Sequence, residues 1–204
     1  MIMSEAFWVA FGKSQFETIL KMPSAWIMKG DNLLHAAEAL FKISWRAKLK
    51  VDNDIADRGT HSLSKREMLI MSDYNLYMES GFLFGLSIEN YLKAIWLQKN
   101  SDNIKSIDKI PQEITIHDLC LLCSKTDVVL TKNEKKLFGL LSDCIIWYGR
   151  YPVPISRDSN ATFWKRQSTL LNAMFSEYPS KCKLPSLLVS AIEKIRIRIN
   201  SYRT

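Results

Sequence analysis

From Tyr74 onward one stretch of the chain places apolar or small residues at alternating intervals of four and three: Tyr74, Met78, Gly81, Gly85, Ile88, Leu92 and Ile95. That spacing is the seam of a long packed helix. No proline interrupts it, and Ser64-Lys-Arg-Glu67 ahead of it is a capping box, in which hydroxyl and carboxylate satisfy opposing backbone donors. The spacing predicts the longest helix of the chain, from Ser64 to about Lys99. Its flanks (Phe82, Phe84, Trp96) are apolar too, so it has to be covered on most sides and forms the centre of the fold. Glycine is scarce, 7 in 204 residues, which argues against a turn-dense all-β fold.

The same pattern recurs along Trp26, Gly30, Leu33, Ala37, Leu40, Ser44 and Ala47, with Ser24 after Pro23 as a helix cap. Shorter helices follow. One opens at Thr115-Ile-His117-Asp118, and a second capping box, Thr131-Lys-Asn-Glu134, starts another through Leu137, Leu141, Cys144 and Tyr148. Gly149 and the Pro152-Val-Pro154 segment stop it. Asp158-Ser-Asn160 precedes a helix with Trp164, Leu171 and Phe175, and Pro185 introduces a last one with Leu188, Ile192, Ile195, Ile199 and Tyr202 on one face. Residues 51–63 and 100–114 read as loops. The expectation is one all-α domain over residues 1–204, an antiparallel helical bundle. It has N-terminal helices over 3–49, a core over about 64–155 and basic C-terminal helices over 160–203.

The longest internal apolar run, Gly81 to Ile88, is too short to cross a bilayer, which takes roughly 20 residues. Glu5 near the start and the lack of a small-residue cleavage site point away from a signal peptide, so a cytoplasmic protein without membrane attachment is expected. The net charge of +7 is uneven: residues 151–204 hold 9 basic and 3 acidic side chains, which accounts for +6 of it. Lys194, Arg196, Arg198 and Arg203 are the candidate nucleic-acid contacts, with a merely solubilising surface as the alternative.

Chemistry-bearing motifs are few. Neither a glycine-rich phosphate loop nor GxSxG occurs. Cys120-Leu-Leu-Cys123 with His117 sits in a helical apolar stretch, and Cys144 and Cys182 form no second pair. These cysteines read as small buried hydrophobes rather than zinc ligands, and no metal or cofactor is expected. Two local signals remain. Glu89 and Lys93 are four apart on the central helix in the favourable order for an ion pair. Gly149-Arg150-Tyr151-Pro152 sets a guanidinium just past a helix end, where it can bind terminal carbonyls or a phosphate.

Taken in order, ESGFLFGLSIENYLKAIWL, then IHDLCLL, then a helix ending YGRYPVP resemble the HEPN domains of prokaryotes, over roughly residues 68–155. WIMKGDNLLHAAEAL is similar to the leading helix of some members. The resemblance implies a helical bundle, homodimerisation through the central helices, and work in RNA cleavage, toxin–antitoxin pairs or antiviral defence. Catalytic members carry an arginine separated by four to six residues from a following histidine, which together cleave RNA through the ribose 2′-hydroxyl without metal. Here Arg150 is followed by YPVPISR, and none of His35, His61 and His117 has an arginine at the matching distance. Arg150 and Tyr151 match the family's RYP corner, not its catalytic pair.

Three functions follow as expectations. The first is a non-catalytic or accessory dimer that binds RNA or a nucleotide phosphate, beside a protein partner from the same defence or toxin system. The second is an atypical metal-independent ribonuclease using Arg150 with Tyr151 or His117. The third is a structural interaction module without a ligand. For the first, Glu89, Lys93, His117, Asp118, Arg150 and Tyr151 are expected to share one groove near the dimer axis. Otherwise each is satisfied locally.

Overall fold

The computed structural model of the chain describes residues 5–58, 65–104, 109–148, 165–166, 168–169 and 184–202. Among them there is no strand, and six α-helices carry the fold: α1 (Glu5–Lys21), α2 (Pro23–Arg58), α3 (Lys65–Lys99), α4 (Leu119–Lys125), α5 (Lys132–Asp143) and α6 (Ser186–Asn200). No helix among the described residues is long and apolar enough to cross a membrane.

The helix α2 begins at Pro23, where a fixed φ suits the first helical turn and a missing N–H is no loss. Ser24, expected as its cap, is therefore inside the helix. The far end differs from expectation as well. Residues 51–58, read as loop, continue the helix. Val51 docks into the interior at 6 % exposure, and Lys48 pairs with Asp52 one turn on. These two contacts hold a segment whose Asp and Asn content argues against helix on propensity alone. At 36 residues α2 is one longer than α3, so the central helix is not the longest. Ser64, the cap expected for α3, lies outside the described residues.

Antiparallel pairing of α2 and α3 makes the backbone of the bundle, and small residues set its spacing. Gly30 faces the Tyr91 ring so closely that a Cβ there would stand 2.7 Å from Tyr91 Cε1. The Ser87 hydroxyl donates to the Gly30 carbonyl (2.8 Å), and the Ser80 hydroxyl donates to the Ala37 carbonyl (3.0 Å). Both serines are fully buried, so these bonds satisfy groups that would otherwise cost about 1–3 kcal/mol each. Phe41, Phe84, Tyr91 and Phe138 fill the interior together with Ile88, Leu92 and Ile95 of α3. The expected seam is therefore continuous through Gly81 and Gly85.

Across the other side of α3 lie α4, α5 and α6. Asp118 caps α4 by accepting from the Leu121 N–H (3.0 Å), and Thr131 with Glu134 forms the expected capping box of α5. The last turn of α5 widens into a π-helical turn over Cys144–Tyr148. A side chain at Gly85 would meet Ile145 at 2.8 Å and the Leu141 carbonyl at 3.1 Å, so Gly85 is what lets this turn lie against α3. Helix α6 buries Leu188, Ala191, Ile192, Ile195 and Ile199, the face its spacing predicts. The helix expected after Asn160 lies mostly outside the described residues. Residues 165, 166, 168 and 169 of it are helical.

Candidate functional site

The central helix brings Glu89 and Lys93 to one face a single turn apart, and the structure buries both. The Lys93 ammonium donates to Glu89 Oε1 at 2.5 Å, with side-chain exposures of 8 % and 6 %. The second carboxylate oxygen, Oε2, lies 2.9 Å from Nδ1 of His117, which arrives from the segment just ahead of α4. A carboxylate only accepts, so the imidazole donates its Nδ1 proton to Glu89. Unlike the pair beneath it, His117 reaches the surface, at 33 % side-chain exposure. Lys93 also lies 5.8 Å from the centre of the Trp26 ring of α2, a cation–π contact that adds to the enclosure of the ammonium. Three elements thus hold one charged relay, with the imidazole at its outer end.

Beside it, Asp118 is spent on its cap at α4. Asp143, at the end of α5, pairs with Arg166 through a 2.7 Å contact from Nε to Oδ2. Burial pushes the Asp143 carboxyl above the usual carboxylate range, and the nearby charge of Asp118 adds to this, against the opposing pull of Arg166. The π-helical turn that follows Asp143 leads directly into Gly149-Arg150-Tyr151. Such turns rotate the residues after them off the helical register, and they recur where a helix end serves a site. Arg150, Tyr151 and Arg203 themselves lie outside the described residues.

Of the six residues expected in one groove, the structure joins Glu89, Lys93 and His117 and sets Asp118 next to them in a capping role. Two of the three local satisfactions anticipated from the sequence occur, Glu89 with Lys93 and Asp118 as a cap; the third, Arg150 at a helix end, lies outside the described residues. The link to His117 adds what neither implied. It spans 28 residues of sequence, and no local spacing announces it. Trp26 and Asp143 were missed as well, the first because it reads as a seam residue.

The three cations of α6 are all engaged. Lys194 donates to both oxygens of Glu134 at 2.7 Å, Arg196 to Asp31 at 3.1 Å, and Arg198 to Asp127 at 3.3 Å. Arg196 also lies 5.9 Å from the centre of the Tyr91 ring and 3.4 Å from its hydroxyl, which in turn donates to Asp31 (2.6 Å). Cys120, Cys123 and Cys144 are helical, and Cys182 lies outside the described residues. Cys123 is buried, and its thiol is pushed up to about 12 by burial, with Cys120 and Asp118 adding to the effect. Among the described residues no group of three His, Cys, Asp or Glu side chains is arranged to hold a metal ion. No family model, curated protein or solved structure matches the chain, so the likeness to HEPN domains rests on its sequence motifs.

Proposed function

We propose that the chain is a HEPN-like helical dimer of the cytoplasm that holds the phosphate of an RNA or a nucleotide. In this reading it serves a prokaryotic defence or toxin–antitoxin system beside a protein partner. The observation that carries it is the buried Glu89 carboxylate bonded at once to Lys93 and His117. The Glu89 carboxylate at Nδ1 fixes the plane of the ring, so that a preorganised imidazole stands at the surface. The cost of ordering that ring is met in folding rather than on binding. Arg150 and Tyr151 enter from the sequence: they follow the π-helical turn and supply a forked guanidinium and a phenol suited to phosphate oxygens.

Dimerisation belongs to the same reading. Along α3 the positions 79, 82, 83, 86 and 90 share one face and are only partly covered within the chain, unlike the fully buried opposite face. Phe82, Leu83 and Leu86 give that stripe its apolar character, and Glu89 and Lys93 flank it. A second copy packed there sets two relays near the two-fold axis.

A carboxylate-oriented imidazole is also the arrangement of a general base, which favours the ribonuclease as second reading. In that case His117 takes the proton of a ribose 2′-hydroxyl as its oxygen attacks phosphorus. The 5′-oxygen leaves and takes a proton from Tyr151, and the products are a 2′,3′-cyclic phosphate and a 5′-hydroxyl. Arg150 stabilises the crowded phosphorane. Fluorescence anisotropy with a labelled single-stranded RNA in EDTA separates the readings. The first expects saturable, salt-sensitive binding of intact RNA that weakens about tenfold in His117→Ala. Cyclic-phosphate products that vanish in His117→Ala decide for the second. Absence of both binding and cleavage refutes the proposal.

A further inference from the structure

The two most exposed large apolar side chains among the described residues are Val129, at 83 %, and Ile197, at 69 %. They are 68 positions apart in sequence, yet both line one groove of about 330 Å³ between the turn after α4 and the outer face of α6. Its other lining residues are Asp127, Val128, Lys194, Arg198 and Ser201. Scattered exposed apolar residues need no explanation, but two that line one concave surface with cations at its rim mark a place where something docks.

Charge says what kind of partner fits. Asp127 accepts from Lys99 at 2.6 Å and from Arg198 at 3.3 Å, one carboxylate shared by two cations. It does so from φ = 55°, the left-handed position that ends α4, where the Val128 N–H returns to the Cys123 carbonyl at 3.0 Å. Glycine is the usual occupant of such a position, so an aspartate there exchanges conformational ease for a carboxylate at the groove. An incoming carboxylate can take Arg198 while Asp127 keeps Lys99. Lys125 and Lys132 stand on the two sides of this turn in the chain and raise the positive surplus.

We infer that this groove docks an acidic segment of a partner protein, an apolar side chain of that segment seated between Val129 and Ile197 and a flanking carboxylate paired with Arg198. A polyanion without an apolar anchor would leave Val129 and Ile197 uncovered. To use the next cation it would also have to displace Glu134 from Lys194, a pair that a single carboxylate at Arg198 leaves in place. The groove therefore favours a peptide over RNA, although these are the cations that sequence alone assigns to nucleic acid. This inference is independent of the His117 relay.

Panning a phage-displayed library of random dodecapeptides against the full chain tests it. The expected result is enrichment of sequences with Asp or Glu beside Leu, Ile, Phe or Trp, whose binding falls at least about tenfold in both Ile197→Glu and Val129→Glu. Both side chains are exposed, so these variants keep the fold, which circular dichroism verifies, and their RNA affinity stays that of the parent. Enrichment of peptides without acidic residues, or of none, overturns the inference. So does undiminished peptide binding by the two variants, or loss of single-stranded RNA affinity in either of them.

Discussion

Removing Lys93 while keeping Glu89 leaves a buried carboxylate without its ammonium and with only the His117 contact. Lys93→Met is therefore expected to cost about 3–5 kcal/mol in a urea titration, the usual penalty for breaking a buried pair from one side. The double variant Glu89→Leu with Lys93→Met should recover much of that loss, because it buries no charge at all. Glu134 provides the pH test. Burial disfavours its charge, but the Lys194 ammonium and the Thr131 donors outweigh this and hold its carboxyl below the ordinary value. A depressed folded value means that its contribution is complete above the unfolded value, near 4.5, and is lost as pH falls through the folded one. Thermal melts should lose stability in acid below that point, and Glu134→Gln should flatten the slope there. Asp143 has the opposite sign. Its raised value makes its ionised form a burden as pH rises past 3.8, so Asp143→Asn should leave the neutral-pH melting temperature unchanged or higher. At this scale the sequence announced the Glu89–Lys93 pair, since a spacing of four on a helix is local information. It could not announce His117, because only the packing of α4 against α3 brings that ring to the carboxylate.

Helices were the most legible level. A four–three seam without proline specifies α3 through two glycines, and the Thr131–Glu134 box marks the start of α5. Thr131→Ala should cost about 1 kcal/mol, the common value for an N-cap. What the pattern missed is instructive. The end of α2 depends on Val51 finding a buried site, a tertiary fact. The π-helical turn at Cys144–Tyr148 depends on Gly85 opening a space that α5 enters. Glycine at 30 and 85 is an element-level requirement, and the two should respond differently. At Gly30 a methyl meets the Tyr91 ring, which Asp31 and Arg196 hold in place, so Gly30→Ala is expected to destabilise by about 1–3 kcal/mol. At Gly85 the nearest atom is a flexible Ile145 side chain, but the Leu141 carbonyl stands behind it, so Gly85→Ala should disturb the π-helical turn itself. Amide exchange over residues 144–148 is the measurement, with faster exchange in Gly85→Ala and unchanged exchange in α6 as the expected pattern.

For the whole molecule, the charge pattern of the sequence and the charge pattern of the surface differ. The last quarter of the chain carries most of the positive surplus, yet Lys194, Arg196 and Arg198 meet carboxylates 60, 165 and 71 residues away. Only the fold reveals those partners: composition locates the positive surplus on α6 but not the carboxylates that its cations meet. Light scattering should give about twice the 23.6 kDa chain mass, and Leu86→Glu, which sets a charge on the partly covered stripe of α3, should return the particle to a single chain. The central claim is that His117, held by Glu89, meets the phosphate of RNA. Its most direct test is a nitrogen–proton spectrum of the histidine rings, recorded while single-stranded RNA is added to the full chain. The chain has three histidines, so His117→Ala identifies the resonance. The His117 ring nitrogens should shift in a saturable way and the His35 signals should stay in place. RNA binding that leaves the His117 ring unmoved would contradict the account.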